Sequence, residues 1–315
     1  MAIVPPMQRR EFHRLMAAAL GAAALPVTAQ TEHTARLMIV GGAEDRLQDR
    51  VILRKFMEYA GGPQARIRLI TAASGVPEAV AASYAKAFGE LGAQDFSVLP
   101  LTDRDSAFSP AVHDAILQAN GVFMSGGDQA RLMAAIWETP VLGALHQAYH
   151  LSGCCIGGTS AGAAVMSRHM ISQGPALLRP RKDAIDTDIG LGLLPAAVVD
   201  QHFSERRRLA RLLSALAQRP DLLGVGIDED TALVVERGQA IEVIGKGVVT
   251  LVDPSQARTN VDDLEADEQI EMLGLQLHTL PSGHRYAVHG TPPRHWPAGL
   301  AQAMQRLVRP GPLRS

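Results

Sequence analysis

The chain has 315 residues, of which 47% are hydrophobic and 20% charged, and its formal net charge at pH 7 is −2. This composition supports a substantial buried core and excludes the disordered and fibrous classes of protein. The small net charge argues against a general binder of nucleic acid or anionic membranes, because such proteins carry a large basic excess.

The first thirty residues resemble a twin-arginine export signal. The stretch "QRREFHRLMAAALGAAALPVTAQ" joins a basic start to an apolar run and a small-residue exit, and the pair Arg9 and Arg10 is followed by Phe12. That pair is the address of such a signal. The apolar run is too short for a permanent membrane anchor. We therefore predict a signal peptide over residues 1–30 and export to the periplasm or medium; the alternative is a disordered or amphipathic N-terminus.

Short apolar runs then alternate with stretches of helical period. The runs predict strands at residues 36–42, 65–74, 95–101 and 121–127. Apolar residues spaced three and four apart predict helices at residues 46–60, 78–91 and 109–119. This alternation is typical of βαβ units, in which helices cover both faces of a parallel sheet. Functional loops are expected at the carboxyl ends of its strands.

The following segments continue the same pattern and then change. We predict a strand at 152–157, a helix from 160 to about 170, a long loop at 172–192, a strand at 193–200 and a helix at 204–218. From residue 222, β-branched runs broken by glycine predict antiparallel hairpins. The chain is thus one α/β domain at 31–290 with a β-rich C-terminal extension. The tail, residues 291–315, predicts a loosely packed helix or partial disorder.

Gly158, Ser160 and Gly162 form the pattern G-x-S-x-G between a predicted strand and a predicted helix. This context is typical of a nucleophile elbow, a turn so tight that only small neighbours fit. The helix N-terminus would favour developing negative charge, and the Ala161 N–H is placed to bind an oxyanion. The alternative is that the serine only caps the helix.

A nucleophilic serine needs a base that a third group orients. His202 is the candidate base, because it stands among polar residues directly after an apolar strand in "VVDQHFSERRRLARL". The third group should be a carboxylate, and the turn "GIDEDTALV" offers Asp228, Glu229 and Asp230. Carboxylates in turns are usually solvated, so this turn alone is weak evidence.

Two further features suit an acidic or amide-bearing substrate. Arg206, Arg207, Arg208 and Arg211 fall within one predicted helix, so at least two guanidinium groups would point toward the site and bind carboxylates as forks. A solvated helix face is the alternative. The loop in "MSGGDQARL" offers backbone N–H groups as an oxyanion site and Gln129 as a hydrogen-bonding side chain.

The ordered set of motifs is more specific than any one of them. The segments "IVGGAEDR", "TAAS", "GGDQARL", "GGTSAGAAVMS", "GLGLLP", "DQHFSERRRLARLL" and "GIDEDTALVV" lie between residues 37 and 252. The set resembles the cyanophycinases, a family of serine peptidases related to aspartyl dipeptidase. The resemblance implies a flavodoxin-like or class I glutaminase-like fold with a mostly parallel, doubly wound sheet, no metal or cofactor, and a homodimer. It also implies hydrolysis of cyanophycin, a polyaspartate backbone with arginine on each side-chain carboxylate, to β-Asp-Arg dipeptides.

The catalytic roles carry over from the family by motif. The resemblance implies that Ser160 is the nucleophile, His202 the general base and Glu229 the carboxylate that orients it. Related dipeptidases place an aspartate between the serine and the histidine, so Asp186 and Asp188 are alternatives for the third role.

The substrate-binding residues also carry over by motif. Amides near Gly127 and Ala161 would hold the oxyanion. The residues implied to line the substrate pocket are Gln129, Asp200, Gln201, Arg206, Arg208 and Arg211. The arginines would bind the carboxylates of the polymer backbone, and Asp200 would bind its arginyl groups.

Two other functions fit parts of the pattern. One is an aspartyl or isoaspartyl dipeptidase of the same superfamily, which would cleave Asp-X dipeptides and ignore the polymer. The other is a noncatalytic glutaminase-like binding module that keeps the elbow as scaffolding. The presence of Ser160, His202 and Glu229 together counts against a binding module, which needs none of the three. Exopeptidase action is expected, although internal cleavage stays open.

Overall fold

A computed structural model describes residues 34–313, so the predicted signal at residues 1–30 lies outside the described part. The strands of the first half are β1 (Arg36–Val40), β2 (Arg66–Ile70), β3 (Asp95–Val98), β4 (Gly121–Met124) and β5 (Cys155–Thr159). The helices between them are α1 (Val51–Tyr59), α2 (Pro77–Glu90), α3 (Pro110–Leu117), α4 (Gln129–Ile136) and α5 (Pro140–Ser152), with a 3-10 turn at Ser106–Phe108. These five strands are parallel, in the order β1-β5-β4-β2-β3.

The second half adds mostly strands. They are β6 (His169–Gln173), β7 (Asp186–Ile189), β8 (Ala197–Gln201), β9 (Leu223–Ile227), β10 (Thr231–Glu236), β11 (Ala240–Gly245), β12 (Val248–Asp253), β13 (Arg258–Thr259), β14 (Met272–Leu273), β15 (Gln276–Pro281) and β16 (His284–Ala287). The helices are α6 (Ala161–Ala164), α7 (Leu209–Gln218) and α8 (Ala298–Val308), with a 3-10 turn at Val261–Asp263.

The C-terminal strands extend the fold in two ways. Strands β10, β11 and β16 continue the central sheet in antiparallel fashion beside β1, which gives the order β16-β11-β10-β1-β5-β4-β2-β3. Strands β15, β12, β9 and β8 form a second sheet, in which only the β8–β9 pair is parallel. The predicted fold, a mostly parallel α/β sheet with a β-rich C-terminal extension, is confirmed.

Helices cover both faces of the central sheet. Leu37 and Ile39 of β1 pack into one core and Met38 and Val40 into another, because successive strand residues point to opposite faces. Buried side chains of α1 and α2 complete the second core, and those of α3, α4 and α5 complete the first. The carboxyl ends of β1, β5, β8 and β9 are therefore left to carry loops.

The helix after the serine is shorter than predicted. It ends at Ala164, whereas the sequence predicted a run to about Met170. The cause is tertiary, since the Val165 carbonyl accepts the N–H of Leu191 from a distant segment instead of continuing the helix. Residues 172–192, predicted as one long loop, contain β7, which pairs with β6.

The prediction of one helix over residues 204–218 is wrong at its start. Helix α7 begins at Leu209, and residues 203–207 form a turn. Arg207 has φ 51°, a left-handed conformation that interrupts a helix. Arg206 and Arg208 therefore share no helical face with Arg211, which is the only one of the four arginines on α7.

The C-terminal tail contains a packed helix. Ala303, Met304 and Leu307 of α8 are buried in the same core as α3, α4 and α5, so this helix is not loosely packed. Among residues 34–313, no helix has the length and apolar character needed to span a membrane.

The aromatic cluster on the second face provides a test of the fold. Phe123 of β4 is fully buried and contacts the rings of Phe56, Tyr84 and Phe88. We expect Phe123→Ala to lower the free energy of unfolding by about 3–5 kcal/mol in urea denaturation. Phe108→Ala is the matched control, because Phe108 is 53% exposed, and it should change stability by less than about 0.5 kcal/mol. Equal losses in both variants would contradict this core.

Candidate active site

Ser160 occupies a strained turn between β5 and α6. Its φ of 52° and ψ of −109° are rare for a residue with a side chain and persist only where the surroundings hold them. A Cβ on Gly158 would lie 2.3 Å from the carbonyl oxygen of Gly162, and one on Gly162 would lie 2.4 Å from that of Met124. Both flanking positions of the motif therefore require glycine. The turn has the geometry that G-x-S-x-G predicts.

Ser160 begins a hydrogen-bonded relay. Its Oγ lies 3.0 Å from His202 Nε2, and His202 Nδ1 lies 2.6 Å from Glu229 Oε1. If Nδ1 donates to the carboxylate, Nε2 is left to accept the serine proton, as a general base must. The structure thus brings Glu229 to the histidine, whereas the alternatives Asp186 and Asp188 lie on the exposed strand β7.

The other two carboxylates of the acidic turn accept hydrogen bonds from backbone N–H groups. Asp228 accepts two backbone N–H groups at 3.2 and 3.1 Å, and Asp230 accepts the N–H of Asp45 at 2.9 Å. Glu229 is the member of the turn whose side chain reaches the histidine. Nowhere in residues 34–313 do three or more His, Cys, Asp or Glu side chains come together as a candidate metal site.

The end of β1 holds the serine, the histidine and the residue next to Glu229. The carbonyl oxygens of residues 40, 41 and 42 accept the N–H groups of Ser160, His202 and Asp230 at 3.0, 2.7 and 2.9 Å, respectively. Gly42 has φ 104°, and a Cβ there would lie 2.2 Å from Cε1 of the imidazole. This role of the motif "IVGGAEDR" was not predicted from the sequence, although its pair of glycines at a predicted strand end was a signal for it.

The predicted oxyanion groups lie beside the serine. A Cβ on Gly126 would lie 3.2 Å from Ser160 Cβ, so the loop that carries Gly126 and Gly127 abuts the nucleophile. Ala161 is the first residue of α6, where an N–H has no intrahelical acceptor. Because α6 has only four residues, its macrodipole is small and the N–H groups themselves would stabilise an oxyanion.

Gln129 is engaged with the protein itself. Its side-chain amide donates to the carbonyls of Ile171 and Ser172 at 3.1 and 2.6 Å. It therefore fastens the start of α4 to β6. Its Oε1 is the atom left for the predicted contact with a substrate.

The structure does not fit the predicted binding of substrate arginyl groups by Asp200. This residue is 0% exposed, and its carboxylate accepts from Arg211 Nε at 3.0 Å, from Arg211 Nη2 and from Arg208 Nη1 at 3.4 Å. Burial raises the pKa of Asp200, and the two guanidinium groups oppose that rise. A side chain so enclosed has no surface for the arginyl groups of a substrate. Asp200 instead holds two arginines in place.

The predicted substrate-binding arginines differ in access. Arg211 is 4% exposed and gives its remaining nitrogen, Nη1, to the Gly174 carbonyl at 3.0 Å, so it braces the chain rather than lining a pocket. Arg208 donates to the backbone and side-chain oxygens of the buried Gln201. Burial lowers the pKa of Arg208 to about 10. Because this pKa is still well above 7, the side chain stays protonated at neutral pH. Arg206 is exposed, and its side chain is the most accessible of the three.

The chain is similar to known peptidases. Residues 37–243 match the model of Peptidase family S51. The chain belongs to this peptidase family. It is 41% identical over 251 residues to the cyanophycinase of Geminocystis herdmanii, which covers 79% of this chain and 92% of that one. It is 41% identical over 263 residues to the cyanophycinase of Trichormus variabilis, which covers 83% and 88% of the two chains.

A solved structure of another peptidase shows the same fold. A crystal structure of a peptidase from an acI-B1 actinobacterium superposes with a TM-score of 0.62 over 81% of this chain and 97% of that one, at 21% identity. The resemblance predicted from the motifs is thus confirmed, and the chain is a peptidase of family S51.

The charges around His202 give a test with two opposite outcomes. Burial lowers the pKa of His202 below its ordinary value of 6.5; Glu229 opposes this, and the Arg206 charge adds to it. The neutral base is required, so the rate of Ser160 labelling by a fluorophosphonate should rise with pH around a midpoint below 6.5. Glu229→Gln removes a charge that raises the pKa and should move this midpoint down. Arg206→Gln should move it up.

The two variants serve as controls for each other. Each removes one unit of charge near the same imidazole, with the opposite sign. Midpoints that move in the same direction in both variants would contradict the assigned electrostatics.

Proposed function

We propose that this family S51 peptidase is a serine exopeptidase that hydrolyses cyanophycin and releases β-Asp-Arg dipeptides. The observation that carries the proposal is the Ser160–His202–Glu229 relay in a chain 41% identical to several cyanophycinases over most of their length. The exposed Arg206 near the relay supports it, since a guanidinium suits the carboxylates at the end of a polyaspartate backbone.

The relay geometry suggests the order of the steps. Ser160 Oγ attacks the backbone carbonyl carbon while His202 Nε2 takes the hydroxyl proton, and Glu229 stabilises the imidazolium that forms. The N–H of Ala161 and the Gly126–Gly127 loop would stabilise the negative oxygen. The tetrahedral intermediate collapses as His202 gives its proton to the leaving amine. A water molecule then attacks the acyl-enzyme carbonyl while His202 takes its proton, and His202 returns that proton to Ser160 Oγ as the acid product leaves.

The polymer itself is the first test. Purified mature protein mixed with insoluble cyanophycin should clear the suspension and release β-Asp-Arg. Ser160→Ala should lower the rate by roughly 10⁴-fold or more, down to what binding and the oxyanion groups provide. Ser204→Ala is the control, because this exposed serine bonds to Asp228 and Arg207 through its backbone N–H and carbonyl groups, which alanine keeps.

Three results would each decide against the proposal. A wild-type protein that neither clears the polymer nor releases dipeptide is not a cyanophycinase. If the wild type cleaves Asp-X dipeptides but leaves the polymer intact, it is the dipeptidase that the sequence left open. Undiminished clearing by Ser160→Ala would reject the serine as nucleophile.

We also propose that the chain is exported by the twin-arginine route, on the support of the signal pattern at residues 1–30. The periplasmic or secreted form should begin close to Gln30 or Thr31, which N-terminal sequencing would establish. Replacing Arg9 and Arg10 by lysine should keep the protein inside the cell, because the pair is the address of the signal. Export of the lysine variant at the wild-type level would contradict this route.

A further inference from the structure

A buried carboxylate binds the residue directly before the serine and takes no part in the proposed reaction. Glu44, on the loop between β1 and α1, is 5% exposed. One of its carboxylate oxygens accepts the hydroxyl of Tyr84 from α2, and the other accepts the hydroxyl of Thr159 at the end of β5. Arg46 Nε lies 3.8 Å from the first oxygen, and its guanidinium stands 5.0 Å from the Tyr84 ring centroid.

The two hydroxyls act as donors to this carboxylate. Burial raises the pKa of Tyr84 well above its ordinary value, and the nearby Glu44 charge adds to that rise. The phenol therefore keeps its proton and donates it. A threonine hydroxyl likewise has a proton to give. Both oxygens are thus hydrogen-bonded and Arg46 is nearby, as a buried carboxylate requires, and the Thr159 hydroxyl is the contact that joins Glu44 to the serine turn.

Thr159 is the residue directly before the strained serine. The Ser160 conformation, with φ 52° and ψ −109°, is costly and needs several contacts to hold it. The carbonyl of Val40 holds the serine N–H at 3.0 Å. The same end of β1, through Glu44, holds the side chain of Thr159. The elbow is thus held by one backbone hydrogen bond, at Ser160, and by one side-chain hydrogen bond, at Thr159.

We propose that Glu44 is a positioning residue for the nucleophile: by accepting the Thr159 hydroxyl it holds the turn that aligns Ser160 Oγ with His202 Nε2. The carboxylate touches neither Ser160 nor His202, so it acts through Thr159. This role rests on the proposed nucleophilic role of Ser160. It deepens that mechanism by naming the group that maintains the serine in line with its base.

The two hydroxyls on Glu44 provide a matched pair of variants. Thr159→Val and Tyr84→Phe each remove one hydroxyl from the same carboxylate, but only Thr159 adjoins the serine. We expect Thr159→Val to lower kcat on the polymer, and the rate of fluorophosphonate labelling, by at least about tenfold with KM unchanged, since small misplacements of a nucleophile are costly. Tyr84→Phe should stay within about twofold of the wild type in both rates while lowering Tm to a similar degree.

Two further variants complete the experiment. Thr159→Ser keeps the hydroxyl and should restore both rates to within about twofold of the wild type. Glu44→Gln replaces one acceptor oxygen by an NH2 group and should lower both rates, as Thr159→Val does. If Glu44→Gln does not fold, the threonine pair still decides the question.

The outcomes separate this role from the proposed function. Wild-type labelling rates in Thr159→Val, or equal rate losses in Thr159→Val and Tyr84→Phe, would overturn the positioning role while leaving Ser160 as the nucleophile. A wild-type protein whose Ser160 resists the fluorophosphonate at every pH would overturn the nucleophile and this role with it.

Discussion

The carbonyl groups of residues 40, 41 and 42 point at three different chain segments and accept the N–H groups of Ser160, His202 and Asp230. These segments follow β5, β8 and β9, which belong to two separate sheets. Because each backbone bond fixes one segment relative to β1, the serine, the histidine and the carboxylate beside Asp230 arrive in register. The glycines at 41 and 42 make the approach possible, since a Cβ at either would overlap the neighbouring segments.

The same arrangement concentrates backbone strain at the site. Ser160, His202 and Asp230 all have positive φ, at 52°, 51° and 45°. Such conformations survive where packing and hydrogen bonds leave no alternative. The rigid end of β1 supplies that constraint, and the buried Glu44 adds a side-chain contact to it. A site held this way needs little rearrangement when charge develops, which is the condition for electrostatic stabilisation of a transition state.

The arginines show how charge near a site divides between structure and binding. A buried guanidinium needs a buried acid, and Arg211 finds it in Asp200. This pair, joined by Arg208, ties α7 to the end of β8 directly before His202. These ion pairs therefore hold the strand end that precedes His202. Arg206, in contrast, is exposed to solvent. Of the four arginines from which the sequence predicted an acidic substrate, Arg206 and Arg207 are exposed, whereas Arg208 and Arg211 pair with Asp200.

Local sequence determined the alternating α/β order, the family and the elbow at Ser160, because periodicity and the need for glycine are properties of neighbouring residues. His202 was also found this way, from its place after a strand. The family resemblance implied Glu229 but left Asp186 and Asp188 as alternatives, and the tertiary structure places Glu229 against His202. Only the tertiary structure decided that Asp200 faces inward and that Glu44 binds the residue before the serine. The contacts of Glu229 and Glu44 join residues 27 to 115 positions apart, and the order of strands in the sheets sets which of them meet. The partners of Asp200 are only 8 and 11 positions away, but they depend on how α7 packs against β8.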